Sequence, residues 1–153
     1  MSKIDISGLE ELRILLGADL QPMGIAEALK IDLVEVEEGR AVFAGTPGAH
    51  VCKPLGIVHG GYTATLLESA IGCAVHSRLN GGQGCTTLEL KIAYHAALTS
   101  TTGRVLAEGK VVSIGKRVAF AEGKITDACG NLYATASSTL LILEQRAGAL
   151  DSL

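Results

Sequence analysis

The segment from residue 54 to residue 77 contains a single formally charged side chain, Glu68, within a strongly apolar helical pattern. Apolar residues occupy most of the circumference of a helix predicted over residues 60–79, and the Asn80-Gly81-Gly82 sequence that follows is typical of a helix end. A helix that is apolar on nearly all sides is buried by its own fold instead of lying on the surface. We therefore expect the other elements to enclose this helix.

After the helix, the apolar period changes to that of a strand. Residues 88–94 alternate, which predicts Leu88, Leu90, Ile92 and Tyr94 on one half-buried face. Turn residues at Gly115 and at 129–131 predict hairpins between the later strands. The remaining predicted elements are a helix over 7–16 capped by Ser7, a loop around Pro22 and Gly24, and strands over 31–36, 41–44, 105–114, 118–127 and 132–143.

One buried helix followed by long antiparallel strands predicts an α+β fold with the sheet wrapped around the helix. At 153 residues the chain is expected to form one domain. We expect residues 1–24 to hold an N-terminal helix and loop, and residues 145–153 to be a frayed tail.

Composition argues against several functions. The chain is 48% hydrophobic and only 3% aromatic, with a net charge of −3, so it lacks the basic and aromatic surface of a nucleic-acid-binding protein. Glu68 and the glycines interrupt the one long uncharged segment, so no membrane span is predicted. The N-terminus shows no signal-peptide pattern, and the four scattered cysteines fit free thiols in a reducing cytoplasm. No metal-ligand spacing is present, and neither metal nor cofactor is expected.

Glu68 and the glycine pair Gly60-Gly61 together indicate acyl-transfer chemistry. A carboxylate in an apolar helix needs a partner, a raised pKa or a chemical role. The N–H groups at a helix start attract developing negative charge, as an oxyanion hole does. Gly60 and Glu68 are about 12 Å apart along one helix axis, however, so one chain cannot bring both to the same carbonyl carbon. If both serve one reaction, Glu68 must meet the Gly60 of a second subunit, as in a dimer with antiparallel helices.

A thioester is a suitable substrate for a site with only a carboxylate and a backbone amide. Its leaving group is a thiol with a pKa near 8.5, which departs as the thiolate without a general acid. Glu68 would attack the carbonyl directly or deprotonate a water that does so. The residues do not distinguish these two routes, and they do not identify the acyl group.

Residues 50–61 (HVCKPLGIVHGG) and 65–72 (TLLESAIG) resemble the hotdog-fold acyl-CoA thioesterases, in particular the phenylacetyl-CoA and 4-hydroxybenzoyl-CoA thioesterase-like group. The resemblance extends through residues 86–90 and 115–117. It implies a hotdog fold, with an antiparallel sheet of five to six strands around one long buried helix. It also implies a homo-oligomer that hydrolyses acyl- or aryl-CoA thioesters. Members of the family are commonly tetramers, and the resemblance implies a link to phenylacetic acid degradation.

The resemblance also implies roles for individual residues. Gly60 matches the oxyanion amide, His59 the histidine before it, and Glu68 the carboxylate donated across the dimer interface. The substrate-binding residues it implies are Lys53, Gly61, Thr87, Lys116 and Arg117. Lys53 departs from the Asn or Gln common at its position; it is able to donate to the substrate, or to pair with Glu68. Lys116 and Arg117 suit the phosphates of CoA. The Arg-Pro frequent at the strand end is absent at residues 94–97.

Other readings remain open. Glu68 is also compatible with an ordinary solvent-facing position, the glycine pair with close helix–sheet packing, and His59 with a capping role. Lys116 and Arg117 are also compatible with a solvated turn. The competing functions are a hotdog dehydratase or hydratase that acts on acyl chains of CoA or acyl carrier protein, and a non-catalytic acyl-CoA sensor.

Overall fold

The computed structural model describes residues 6–18 and 21–144; the predicted tail over 145–153 lies outside the described residues. The helices are α1 (Gly8–Gly17), α2 (Ile25–Leu29) and α3 (Gly60–His76), with a short 3-10 turn at Ala49–Val51. The strands are β1 (Ile31–Glu37), β2 (Arg40–Gly45), β3 (Gln83–Tyr94), β4 (Val105–Ile114), β5 (Val118–Asp127) and β6 (Leu132–Glu144).

The six strands form one antiparallel sheet in the order β1-β2-β4-β5-β6-β3, and α3 packs across it. Leu66, Leu67, Ile71 and Val75 of α3 are buried in the main core. The helix comes so close to β4 that a Cβ on Gly109 would lie 2.4 Å from the backbone of Ala70. The predicted α+β fold of an antiparallel sheet and one long, largely buried helix is therefore confirmed, although one face of α3 stays open within the protomer.

The termini of the helices differ from the prediction in small ways. Ser7 caps α1 through a capping box with Glu10, as expected, but the helix continues to Gly17, one residue beyond its predicted end. The α3 helix ends at His76, three residues early. Its end is fixed by the Ser77 hydroxyl, which donates to the Ala74 carbonyl at 2.7 Å and accepts from the Gly39 amide at 2.8 Å. That last bond ties the helix end to the β1–β2 turn.

The short helix α2 lies in the segment that was predicted to be a loop. It spans five residues between Gly24 at φ 61° and Lys30 at φ 55°. A helix of this length is too short to show a recognisable apolar period.

The prediction of one apolar face on β3 was wrong at Leu88. The register against β6 shifts between Thr87 and Glu89, so Leu88 is the extra residue of a β-bulge and its side chain is 57% exposed. The bulge changes the phase of the strand. The residues that contact α3 or the core are Cys85 and Thr87 before it, and Leu90, Ile92 and Tyr94 after it.

Strand β3 is also an edge of the sheet. It pairs with β6 on one side, and no described strand pairs with its other side. A long edge strand presents a row of unpaired backbone groups to other chains. None of the helices in the described part of the chain has the length and apolarity needed to cross a membrane.

Candidate active site

His59 caps the start of α3 with its own side chain. Its backbone is extended (φ −64°, ψ 135°), and its Nδ1 accepts a hydrogen bond from the Gly61 N–H at 2.8 Å. Because Nδ1 accepts, a neutral His59 ring carries its proton on Nε2. This contact accords with the capping reading of His59, and it occupies the Gly61 amide.

The Gly60 amide is left available by the same arrangement. Among the described residues, none accepts a hydrogen bond from the Gly60 N–H. The Gly60 carbonyl, in contrast, accepts from the Tyr94 hydroxyl at 3.0 Å, and a Cβ at position 60 would lie 3.0 Å from that hydroxyl. Close packing and an open amide are therefore both features of Gly60.

Gly60 lines a cavity of about 470 Å³ at the start of α3. Lys53, for which the resemblance implies a substrate-binding role, lines it together with Tyr94, His95 and Tyr133, which were not among the predicted site residues. His95 is held by Thr135, whose hydroxyl lies 2.8 Å from His95 Nε2. One sequence feature could have pointed to these cavity residues, namely the rarity of aromatic side chains. Tyr94 is one of only three tyrosines, and a histidine directly follows it.

Glu68 lies two turns further along α3, on its open side. Its side chain is exposed, so the burial assumed from the apolar pattern does not occur within one protomer. The Thr87 hydroxyl donates to Glu68 Oε1 at 2.9 Å. Glu68 forms no ion pair with Lys53 within the described protomer.

Two thiols close to Glu68 are poor nucleophiles. Burial, with smaller contributions from the nearby Cys85 and Glu68, raises the pKa of the Cys73 thiol to about 12. Burial, and then Glu68, also raises the pKa of Cys85. Both side chains are therefore protonated near neutral pH and do not compete with a carboxylate for the reactive role.

Lys116 and Arg117 lie far from Gly60 within the same chain. Lys116 lines a second cleft, of about 370 Å³, together with Arg78 and Leu79 just beyond the C-terminal end of α3. Gly60 is at the opposite end of that helix, which is about 25 Å long.

The candidate residues thus fall into three groups within one protomer. Gly60, His59, Gly61 and Lys53 gather at the start of α3. Glu68 and Thr87 meet midway along it, and the Lys116-Arg117 turn lies beyond its end. No group of three or more potential metal ligands occurs within residues 6–18 and 21–144.

Comparison with known proteins gives concordant matches. A family model described as the thioesterase superfamily matches residues 55–134. The chain is 31% identical to a 1,4-dihydroxy-2-naphthoyl-CoA hydrolase from Listeria monocytogenes over 124 residues, which cover 81% of this chain and 99% of the relative.

Solved structures match the whole arrangement of helix and sheet. A thioesterase from Haemophilus influenzae superposes with a TM-score of 0.77 at 19% identity, covering 92% of this chain and 94% of the other. A mutant of the phenylacetic acid degradation protein PaaI from Thermus thermophilus superposes with a TM-score of 0.69 at 28% identity, covering 76% of this chain and 96% of the other. The first match speaks to the fold alone.

Proposed function

Because the chain belongs to the thioesterase superfamily, has its hotdog fold and is an acyl-CoA thioesterase, we propose that it hydrolyses acyl- or aryl-CoA thioesters at a site shared by two protomers. One protomer contributes the Gly60 amide and the cavity beside it. The other contributes Glu68. Two equivalent sites form in each dimer, because a two-fold axis repeats the arrangement.

The observation that carries this proposal is the separation of Gly60 from Glu68. The Gly60 N–H has no acceptor among the described residues, and Gly60 lines the cavity. The Glu68 carboxylate is exposed beside the unpaired edge of β3. A second copy joined along β3 with its helix antiparallel would bring the partner's Glu68 toward Gly60 and would also pair the exposed edge.

The chemistry follows from these two groups. The Gly60 N–H and the positive end of the α3 dipole stabilise negative charge on the thioester oxygen. Glu68 attacks the carbonyl carbon directly or takes a proton from a water that attacks it. Collapse of the adduct breaks the carbon–sulfur bond and expels CoA as a thiolate. In the direct route, the acyl group remains on Glu68 as a mixed anhydride, which a water molecule then hydrolyses to release the acid and regenerate the carboxylate. In the water route, the thiolate recovers its proton from Glu68, and the acid and CoA are the products.

The same dimer accounts for the distant cations. An antiparallel partner helix places its C-terminal end near the Gly60 of the first protomer. The partner's Lys116 and Arg117 would then lie on the side from which CoA enters, where they neutralise its phosphates.

We also propose a cytoplasmic enzyme whose dimers associate further into a tetramer. Similarity to an aryl-CoA hydrolase favours an aromatic acyl group.

A proline substitution tests the role of the Gly60 amide. Gly60 is the first residue of α3, where proline is tolerated, and the extended backbone of His59 is compatible with a following proline. Gly60→Pro removes the N–H, whereas Gly60→Ala adds the same Cβ and keeps it. We expect thiol release from acyl-CoA to fall far more in Gly60→Pro than in Gly60→Ala. Equal losses in the two variants would remove Gly60 from the mechanism.

Mixed oligomers test the shared site. Gly60→Pro and Glu68→Gln proteins are each expected to be nearly inactive. After unfolding and refolding together in equal amounts, they should regain about a quarter of parental activity, because half of the dimers then hold one intact site. If the mixture stays as inactive as its components, the two residues do not act across a subunit interface.

A further inference from the structure

We propose that Thr87 is a positioning residue that holds the Glu68 carboxylate by one oxygen and leaves the other oxygen for reaction. This inference rests on the proposed role of Glu68 in thioester hydrolysis. The sequence resemblance placed Thr87 among the substrate-binding residues, whereas its hydroxyl hydrogen in the structure is directed to Glu68.

The contact divides the two carboxylate oxygens. Thr87 Oγ1 donates to Glu68 Oε1 at 2.9 Å, and no other described residue donates to either oxygen. Oε2 is therefore the atom available to attack a carbonyl carbon or to accept a proton from water. Hydrogen bonds to a charged acceptor are among the stronger ones in proteins.

The β-bulge fixes the strand around Thr87. Leu88 is the extra residue, and the next residue, Glu89, is held from β6 by two hydroxyls. Ser138, which is buried, donates to the Glu89 carbonyl at 2.6 Å, and Thr139 donates to its carboxylate at 3.0 Å. These contacts hold the bulge in place. In a regular strand, Thr87 would point to the opposite face from Leu90 and Ile92; the bulge lets all three side chains face α3. Bulges commonly re-aim side chains next to active sites.

Orientation matters because Glu68 is exposed and has a long side chain. Without a second contact, such a side chain samples several rotamers, and only a fraction of them aim an oxygen at the substrate. Thr87 is β-branched and has few rotamers of its own, so it makes a stiff anchor. Thr87 itself forms no bond to the substrate. Its effect therefore falls on the rate of the chemical step instead of on CoA binding.

The test uses Thr87→Val, which removes the hydroxyl and keeps the shape. We expect kcat for acyl-CoA hydrolysis to fall about 10- to 100-fold with KM unchanged. Thr87→Ser restores the donor and should recover most of the lost kcat. Thr86→Val is the matched control, because Thr86 is the exposed neighbouring threonine and makes no side-chain contact with Glu68. If Thr87→Val does not fold, Thr87→Ala carries the same prediction.

A double-mutant cycle separates positioning from general stabilisation. In a Glu68→Gln background, Thr87→Val should cause no further loss of kcat, because its effect passes through the carboxylate. A multiplicative loss in the double variant, or parental kcat in Thr87→Val, would overturn the inference alone. Parental kcat in Glu68→Gln would instead overturn the proposed function.

Discussion

The hydroxyl of Tyr94, at the end of β3, donates to the carbonyl oxygen of Gly60, at the start of α3, across 3.0 Å. The ring of the same tyrosine fills the space that a side chain at position 60 would need. The strand that forms the sheet edge thus holds the backbone of a residue that lines the cavity. Gly60 is positioned from outside its own helix.

Tyr94→Phe should therefore lower kcat while leaving the fold intact. The variant keeps the ring against Gly60 and loses a hydrogen bond worth about 1 kcal/mol, which corresponds to roughly fivefold in rate if all of it serves orientation. Steady-state kinetics with one acyl-CoA, together with a thermal melt, measure both properties. A parental kcat in a fully folded variant would show that the tyrosine hydroxyl does not orient this backbone.

Lys53 lines the Gly60 cavity, in which the proposed site binds the thioester, so we expect it to donate to the substrate. Lys53→Gln keeps a donor without charge, whereas Lys53→Met keeps only the chain length. The kcat/KM of Lys53→Met should fall about 10-fold or more, as for a lost hydrogen bond to developing charge, and Lys53→Gln should lie between it and the parent. Identical values for all three proteins would exclude Lys53 from substrate contact.

Lys116→Glu should raise KM for acyl-CoA and leave kcat unchanged, because contacts with the nucleotide phosphates are the same in ground state and transition state. A pantetheine thioester of the same acid lacks those phosphates and serves as the control substrate. Its KM should not respond to the substitution. The effect on acyl-CoA should also shrink at high salt, since exposed charges are screened. An equal rise in KM for both substrates would argue against phosphate recognition.

Substitution by alanine should have opposite effects on stability at Gly109, on β4 beneath α3, and at Gly72, within α3. A Cβ on Gly109 would clash with the Ala70 backbone, whereas a Cβ on Gly72 would have no described residue within 4 Å apart from its own turns of helix. Gly109→Ala should lose at least about 1–3 kcal/mol of unfolding free energy through overpacking. Gly72→Ala should gain about 0.5–1 kcal/mol through helix propensity. Urea unfolding at one protein concentration compares them; destabilisation by Gly72→Ala would indicate a neighbour that a single protomer lacks.

Tyr62 should make the protein sensitive to alkali. Its hydroxyl is buried without a hydrogen-bond partner among residues 6–18 and 21–144, and burial raises its pKa from 10.0 to about 12. The unfolded chain then ionises first, so Tyr62 costs no stability below about pH 10 but lowers stability progressively between pH 10 and 12, by on the order of 2 kcal/mol. Tyr62→Phe should flatten this part of the stability curve. Parallel curves for the two proteins between pH 9 and 12 would contradict the assignment.

Local patterns predicted most elements of the fold. The alternation and turn signals place β4 and β5 at the bounds that the structure shows, and Ser7 caps its helix as expected. The strand order was not predictable from these patterns, because β3 pairs with β6 and β2 with β4 through contacts distant in sequence. The bulge at Leu88 was hidden for the same reason: register is a property of two strands together.

The candidate site was predictable in its residue types but not in its surroundings. Gly60 and Lys53 do meet at one cavity, yet Tyr94, His95 and Tyr133 join them only because the end of β3 returns to the start of α3. The apolar pattern around Glu68 suggested burial, whereas a single protomer leaves that face of the helix open. An apolar helix face reports that something covers it, but not whether the cover belongs to the same chain.

The bulge in β3 has a consequence for assembly. A regular edge strand can slide by two residues against a neighbour and still point the same side chains inward, so its alignment is only weakly determined. The extra residue at Leu88 breaks that translational equivalence, because a sliding neighbour would have to accommodate the kink at a new place. The one-residue bulge therefore defines the register of the edge along which two copies would join. It favours one strand register over others of nearly equal free energy.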